Sequence, residues 1–370
     1  MISFTEQLLA DLNIIPDSLQ LFINRMRHEK IIGIWGTSVA GQMVFNTAKK
    51  WGIHVNFFIN GLKNNKEEQY LFNTPVISPT MVPGDAFIII SADVKYGIHN
   101  IIENQSKNQY CYIDPLLFAC YLNNGKEKIM SELSASRMEI DFVFHRLQDE
   151  PSKRTYRNLL IHRAVHQLKL VWDVFEPHQY FGNDVIESVG GCFVDCGAYT
   201  GDTLKYFISH IYDKKYKYFA FEPEQDNYKT LKKYVCDNGL NNVYLFPIGL
   251  WNKKTNLHFV KNHSNDTLAW KLSDYLSKTE LNIPVDSLDN ILHGIKTDYI
   301  KMDIEGAELK ALEGAYECIK CWKPKLTISA YHELNHLWNV PQKILELNPS
   351  YNLYYRHHSW NMADSVCYGI

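Results

Sequence analysis

The sequence predicts an α/β fold whose C-terminal half holds a seven-stranded, mostly parallel sheet. Three observations carry that reading. From about Val189 onward, apolar runs of strand length alternate with helical patterns, the order that builds a parallel sheet. Three of these runs end in an acid: CFVDC contains Asp195, YFAFE ends at Glu222 and DYIKMD ends at Asp303. The first runs into Asp195-Cys196-Gly197-Ala198-Tyr199-Thr200-Gly201-Asp202, a turn with glycines spaced by four and then a helix start. In an open α/β sheet the loops at the carboxyl ends of the strands converge on one crevice, so the three acids would share it.

The elements follow in order. The N-terminal segment reads as amphipathic helices. KIIGIWGTSVAGQMVFNTAKKWGIHVNFFING then predicts a βαβ unit with strands Ile31 to Trp35 and Val55 to Ile59. Its turn, Gly36 to Gly41, is a dinucleotide fingerprint with Ser38 at the second glycine position. Asn60 stands where a ribose-binding acid would be, so the glycines read first as scaffold. Strands at Asp85 to Ala92 and near Tyr112 complete a smaller sheet. The domain expectation is a Rossmann-like α/β domain over 1–125, a helical bridge over 126–183 and the large sheet domain over 184–370.

Within that last domain strands are expected at Cys192 to Cys196, Tyr218 to Glu222, Asn242 to Ile248, Asn256 to Val260 and Ile283 to Val285. Further strands are expected at Asp298 to Asp303 and Lys325 to Tyr331, with a closing hairpin of Tyr351 to His357 and Ser365 to Ile370. The hairpin supplies one antiparallel strand. Helices fall at Asp202 to Tyr212, Gln225 to Asp237, Ser287 to His293, Ala307 to Ile319 and Pro341 to Leu347.

Composition excludes several function classes. The chain has 370 residues, 46% hydrophobic and 21% charged, which is a globular composition. A net charge of −3 gives no electrostatic argument for nucleic acid or membrane surfaces. No apolar run reaches the ~18 residues of a membrane span, and MISFTEQLLADL lacks a secretory signal's basic region. Eight scattered cysteines read as reduced thiols, so the expected compartment is cytoplasmic. Cys318 and Cys321 have redox spacing but no second pair nearby.

The acid-tipped strands point to a cofactor. Asp195 at a strand end suits the positive end of a zwitterion better than a pyrophosphate. Glu222, placed 27 residues later, is positioned for both hydroxyls of a ribose. That combination favours S-adenosylmethionine over NAD. The expected cofactor contacts are Asp195, Gly197, Ala198, Tyr199, Gly201, Asp202, Glu222, Pro223, Gly249, Asn252 and Asp303.

These residues resemble the FkbM-type methyltransferase family. The matching motifs are V-D-x-G-x-x-x-G-D at Val194 to Asp202, F-E-P at Phe221 to Pro223 and V-D-S-L at Val285 to Leu288. They continue with I-K-M-D-I-E-G-A-E at Ile300 to Glu308 and a histidine after the next strand, His332. The resemblance is strong over about Asp184 to Ile370, and the flanking segments are similar to a bacterial branch with an N-terminal Rossmann-like domain. It implies a class I S-adenosylmethionine-dependent methyltransferase, most often one that methylates oxygen on sugars or secondary metabolites.

Methyl transfer to a hydroxyl needs alignment and removal of a proton. His332 is the candidate base, with Asp303 on the neighbouring strand tip. An alternative makes Asp303, Glu305 and His332 ligands of a divalent metal that acidifies the hydroxyl. Arg356, His357 and Trp270 are candidate acceptor contacts, with Trp270 in a lid that includes Asn265, Asp266 and Thr267. The expected partner is a small-molecule or saccharide acceptor, presented in part by the N-terminal domain. A homo-oligomer is left open. Two rival readings are a silent S-adenosylmethionine sensor and a nicotinamide oxidoreductase built on the N-terminal fingerprint. Asp303 and His332 weigh against the first; Ser38 and Asn60 weigh against the second.

Overall fold

The computed structural model describes residues 2–61, 69–91, 109–120, 125–211, 215–261 and 279–370. They fall into two compact units. The first comprises Met1–Met138, Arg157–Phe175 and Ser359–Ala363; the second comprises Glu139–Tyr156, Glu176–His358 and Asp364–Ile370.

The first unit opens with α1 (Phe4–Ile14), started by a capping box in which Ser3 and Glu6 exchange side-chain and backbone hydrogen bonds. Helix α2 (Ser18–Met26) is capped by Asp17, whose carboxylate accepts from the amides of Leu19 and Gln20. Then come β1 (Ile32–Trp35), α3 (Val39–Lys50), β2 (Phe57–Ile59), β3 (Gln69–Leu71), β4 (Thr74–Ile77), β5 (Phe87–Ile90) and β6 (Tyr110–Tyr112). The strands pair in the order β3-β4-β2-β1-β5-β6, with only β3 antiparallel to its neighbour. The sequence reading did not anticipate the β3–β4 hairpin. Its strands are short and at the sheet edge, and its turn is made by Phe72 and Asn73, both at positive φ (52° and 59°) without a glycine to announce it. The fingerprint glycines do structural work: a Cβ on Gly41 would lie 2.0 Å from the Gly36 carbonyl oxygen, so α3 packs on the turn only without one. Phe22, Phe58, Phe87, Phe118, Ile34 and Val44 fill the core on one side of this sheet.

Five helices follow: α4 (Pro115–Cys120), α5 (Lys126–Ala135), α6 (Arg137–Arg146), α7 (Glu150–Val165) and α8 (Leu168–Trp172). The second unit then runs β7 (Cys192–Cys196), α9 (Asp202–His210), β8 (Lys217–Phe221), α10 (Gln225–Asp237), β9 (Val243–Phe246), β10 (Gly249–Leu250), β11 (Thr255–Lys261) and β12 (Thr279–Asp286). It closes with α11 (Leu288–Ile291), β13 (Tyr299–Met302), α12 (Glu308–Glu313), α13 (Tyr316–Trp322), β14 (Lys325–Ser329), α14 (His336–Leu347), β15 (Leu353–His357) and β16 (Ser365–Gly369). Seven strands form the main sheet in the order β15-β16-β14-β13-β7-β8-β9, and β16 alone runs antiparallel to its neighbours. Strands β10, β12 and β11 form a separate small sheet.

Strand β7 sits at the reversal of strand order, between β13 and β8. Its register is locked by aromatic stacking. The Phe193 ring lies 4.9 Å from Tyr218 on β8 and 4.5 Å from Tyr299 on β13, nearly parallel to both. Such pairs are worth about 0.5–1.5 kcal/mol each beyond their burial. Two helices differ from expectation. The run from Ala307 breaks at Gly314, where a Cβ would sit 2.1 Å from the Trp251 carbonyl oxygen. Helix α14 starts at His336, well before Pro341. Pro341 has no amide to offer the Leu337 carbonyl, which accepts instead from the Tyr355 hydroxyl at 2.9 Å. No helix among the described residues is long and apolar enough to cross a membrane.

Candidate active site

The crevice is built at the carboxyl ends of β7, β8 and β13. Asp195 is fully buried near the end of β7, and its carboxylate lies 2.9 Å from the Lys301 ammonium on β13. The two residues are register partners, and the Tyr218 hydroxyl donates to the same carboxylate at 2.6 Å. Burial alone would lower the Lys301 ammonium, but Asp195, Asp303 and Asp202 outweigh it and hold the pKa above its ordinary value. This corrects the expectation that Asp195 faces a ligand's positive end: the positive charge it faces is internal. Lys301 also donates to the carbonyls of Gly197 (2.6 Å) and Cys196 (3.4 Å), so the pair anchors the glycine turn from below.

The turn is held from its other side by β8. The amides of Gly197 and Ala198 both donate to the Phe221 carbonyl, at 3.0 and 2.9 Å. Gly197 has φ 83° and no room for a side chain, since a Cβ would lie 1.9 Å from the Asp303 carbonyl oxygen. Tyr199 adopts φ 47°, a left-handed conformation uncommon outside glycine. That bend turns its amide onto the Glu222 carboxylate at 2.8 Å, while the Glu224 amide donates to the other carboxylate oxygen at 2.9 Å. Glu222 is buried, and burial pushes its pKa up against the partial relief of those two amides. Each oxygen accepts one amide and keeps acceptor capacity for two neighbouring hydroxyls. Gly201, at φ 86°, ends the turn, and Asp202 opens α9 with its side chain exposed. Pro223 follows Glu222 and is half-buried. Gly249 lies in β10 against Val285, and the Asn252 amide donates to Glu313 at 2.9 Å.

At the end of β13, Asp303 is held by three groups. The Tyr180 hydroxyl donates to one oxygen at 2.9 Å, the Tyr331 hydroxyl donates to the other at 3.1 Å, and His332 Nε2 lies 3.5 Å from that second oxygen. Glu305, at φ 57°, brings its carboxylate to 3.5 Å from the same His332 nitrogen. Behind the ring, His332 Nδ1 is 3.0 Å from the fully buried Glu308. Burial alone would lower the imidazole, but Glu308 first, then Asp303 and Glu305, raise its pKa to about 9. Both ring nitrogens therefore face carboxylates, Nδ1 toward Glu308 and Nε2 toward Asp303 and Glu305. Glu308 opens α12. It also accepts from the Ile304 amide at 2.9 Å, fixing the turn that carries Asp303 and Glu305.

Two of the expected acceptor contacts, Arg356 and His357, are engaged inside the fold. Arg356 is buried, with its guanidinium shared among Asp149, Asp184 and Ser152 at 2.6 to 3.4 Å. His357 is fully buried with Nδ1 2.9 Å from Ser365. Trp270, Asn265, Asp266 and Thr267 lie outside the described residues. Sequence reasoning missed Tyr180, which belongs to no motif and reaches Asp303 from a loop 123 residues earlier. It also missed His336, hidden in a stretch read as pre-helical loop.

The strand order, with its reversal at β7 and its one antiparallel strand, defines a class of α/β domain: the methyltransferase fold. Within that class, residues 195–354 match the family described as Methyltransferase FkbM domain. The whole chain is similar in fold to a methyltransferase FkbM from Methylobacillus flagellatus KT, with 21% identity, a TM-score of 0.73 and coverage of 99% of this chain and 98% of that one. Weaker likenesses include Aeropyrum pernix fibrillarin with natively bound S-adenosyl-L-methionine (8% identity, TM-score 0.31, 49% of this chain and 66% of that one). Another is a SAM dependent methyltransferase from Aquifex aeolicus (15% identity, TM-score 0.29, 66% and 97%). No curated protein matches the chain significantly.

Proposed function

We propose that the protein transfers a methyl group from S-adenosylmethionine to a hydroxyl of a small-molecule or saccharide acceptor. The observation that carries this reading is Glu222. A buried carboxylate at the tip of β8, oriented by two backbone amides, is a fitting receiver for a ribose diol beside a glycine turn that leaves space for a ligand's backbone-close approach. When bound, the cofactor supplies an electrophilic methyl on a positive sulfur.

The chain's own residues would do the rest. Gly197 to Gly201 would hold the cofactor's amino-acid end, with Asp202 near its ammonium group. Asp303, which is partly exposed, takes the acceptor's proton in this reading. Tyr180, Tyr331 and His332 fix its two oxygens and keep one lone-pair direction toward the crevice. His332 is then a positioning group and not the base. Glu305 adds a second negative charge beside the methyl-bearing sulfur.

Calorimetric titration of S-adenosylmethionine tests the reading. Micromolar binding is expected for the wild type, with at least a tenfold loss in Glu222→Ala, about 1.4 kcal/mol. Absence of binding in the presence and absence of candidate acceptors would overturn it. Turnover of a sugar or secondary-metabolite acceptor separates an enzyme from a silent sensor.

A further inference from the structure

Behind the crevice lies a group of side chains of which only His332 has a part in the proposed methyl transfer. Glu308 on α12, His332 after β14 and His336 at the start of α14 each present one donor atom to a common point, and these atoms all lie within 4.8 Å of one another. His332 Nδ1 is 3.0 Å from Glu308 Oε1, and His336 Nδ1 is 3.4 Å from Glu308 Oε2. All three residues are buried, Glu308 completely.

We infer that Glu308, His332 and His336 form a binding site for a zinc-type divalent ion. Three features support it. The donor set is one carboxylate and two imidazoles, the chemistry of zinc ligation, and the histidines have His-x-x-x-His spacing. Bonds of about 2.0–2.2 Å at a tetrahedral centre put ligand atoms roughly 3.3–3.6 Å apart; the two histidine nitrogens lie 3.0 and 3.4 Å from Glu308 oxygens, and the donor atoms lie within 4.8 Å of one another, so small side-chain shifts close the set. Glu308 Oε2 is buried and accepts no hydrogen bond among the described residues, while Oε1 is fixed by the Ile304 amide. A buried carboxylate needs a cation beside it. One charged imidazole would suffice for neutrality; a second imidazole turned to the same carboxylate through the same nitrogen has a use as a second ligand.

The surroundings fit as well. His332 presents its other nitrogen to Asp303 and Glu305, each at 3.5 Å. A carboxylate behind a ligating histidine is the usual device for setting the ring's orientation and tautomer. The ion would therefore sit one imidazole away from the crevice and hold the turn after β13, the start of α12 and the start of α14 together. This set replaces Asp303, Glu305 and His332 as the metal ligands: only His332 is common to both, and it coordinates through Nδ1.

The test uses the full-length protein, purified without chelators, with zinc measured by elemental mass spectrometry. The protein is then stripped with dipicolinate and titrated with cobalt(II) alone. The expected result is one equivalent per chain with visible d–d absorption of a tetrahedral centre. Glu308→Gln and His336→Gln should each weaken binding by more than 100-fold, and Glu305→Gln by about 10-fold, the range seen for supporting contacts. Stripped wild-type protein that takes up no cobalt, or gives only the weak bands of a hexaaquo-like ion, overturns the site even if the variants fail to fold. Variants that fold and bind like the wild type overturn it too. The titration of S-adenosylmethionine is independent: metal binding without cofactor binding would fault the proposed function, and the reverse would fault only this site.

Discussion

The Asp195–Lys301 pair gives the sharpest check on how the crevice is held open. Asp195→Asn leaves a buried ammonium without its contacting carboxylate, still hydrogen-bonded to the carbonyls of Gly197 and Cys196. Lys301→Met leaves a buried carboxylate with only the Tyr218 hydroxyl, and frees those carbonyls. Breaking a buried pair from one side typically costs about 3–5 kcal/mol, because the surviving charge is uncompensated. Lys301→Met should exceed Asp195→Asn, since charge-assisted hydrogen bonds to the loop add about 1.5–3 kcal/mol. The double variant removes both charges, so it should cost at least about 2 kcal/mol less than the sum of the single ones. Chemical denaturation followed by near-ultraviolet circular dichroism reads this directly, because Phe193, Tyr218 and Tyr299 stack beside the pair. Costs that add within about 0.5 kcal/mol would refute the coupling. A variant Asp195→Asn with unchanged stability and tenfold weaker cofactor binding would refute the correction itself, and return Asp195 to the ligand.

Three further outcomes follow from the same geometry. His358 donates through Nδ1 to the Glu176 carbonyl and accepts through Nε2 from Tyr368, and burial lowers its pKa from 6.5 to about 4. The unfolded chain therefore binds its proton first as pH falls, so stability should drop between about pH 6.5 and 4 by roughly 3 kcal/mol, and His358→Gln should flatten that part of the melting-temperature profile. Gly197→Ala would place a methyl against the Asp303 carbonyl at positive φ, with an expected cost of at least about 3 kcal/mol in thermal or denaturant unfolding; a neutral result would mean the turn is laid out differently. Tyr180→Phe removes one hydroxyl from Asp303, and is expected to lower kcat about tenfold at unchanged acceptor KM. Equal effects on KM would place Tyr180 in acceptor binding instead.

Much of the fold was legible because its signals are local. The apolar runs at Cys192 to Cys196 and Tyr218 to Phe221 announce buried parallel strands, and helix α10 runs from Gln225 to Asp237 as the pattern predicts. The acids at strand tips were legible for the same reason. Their partners were not. Strand periodicity puts Lys301 and Asp303 on one side of β13, but it does not say that Lys301 answers Asp195, which depends on the register of two strands 106 residues apart. Arg356 and His357 looked like crevice-edge groups because they end a strand. The antiparallel β16 covers that end, and Asp149, a residue of the helical segment, claims the guanidinium. The helix starting at His336 was hidden by Pro341, since the sequence cannot reveal that Tyr355 satisfies the carbonyl that proline orphans.

The acids of the crevice form a division of labour set by what faces each of them. Asp195 is neutralised by a lysine, so it supports the turn and carries no free charge to the ligand side. Glu222 accepts from the backbone amides of Tyr199 and Glu224, which orient it without cancelling its charge, and it therefore keeps the capacity to bind neutral hydroxyls strongly. Asp303 is answered by two neutral hydroxyls and by an imidazole nitrogen at 3.5 Å, which fix its direction while leaving it partly exposed. Glu308 is answered by two imidazoles and no lysine or arginine among its ion partners. Two buried imidazoles converge on Glu308, one at each carboxylate oxygen, and that convergence is why the cluster behind the crevice is the place to look for a metal.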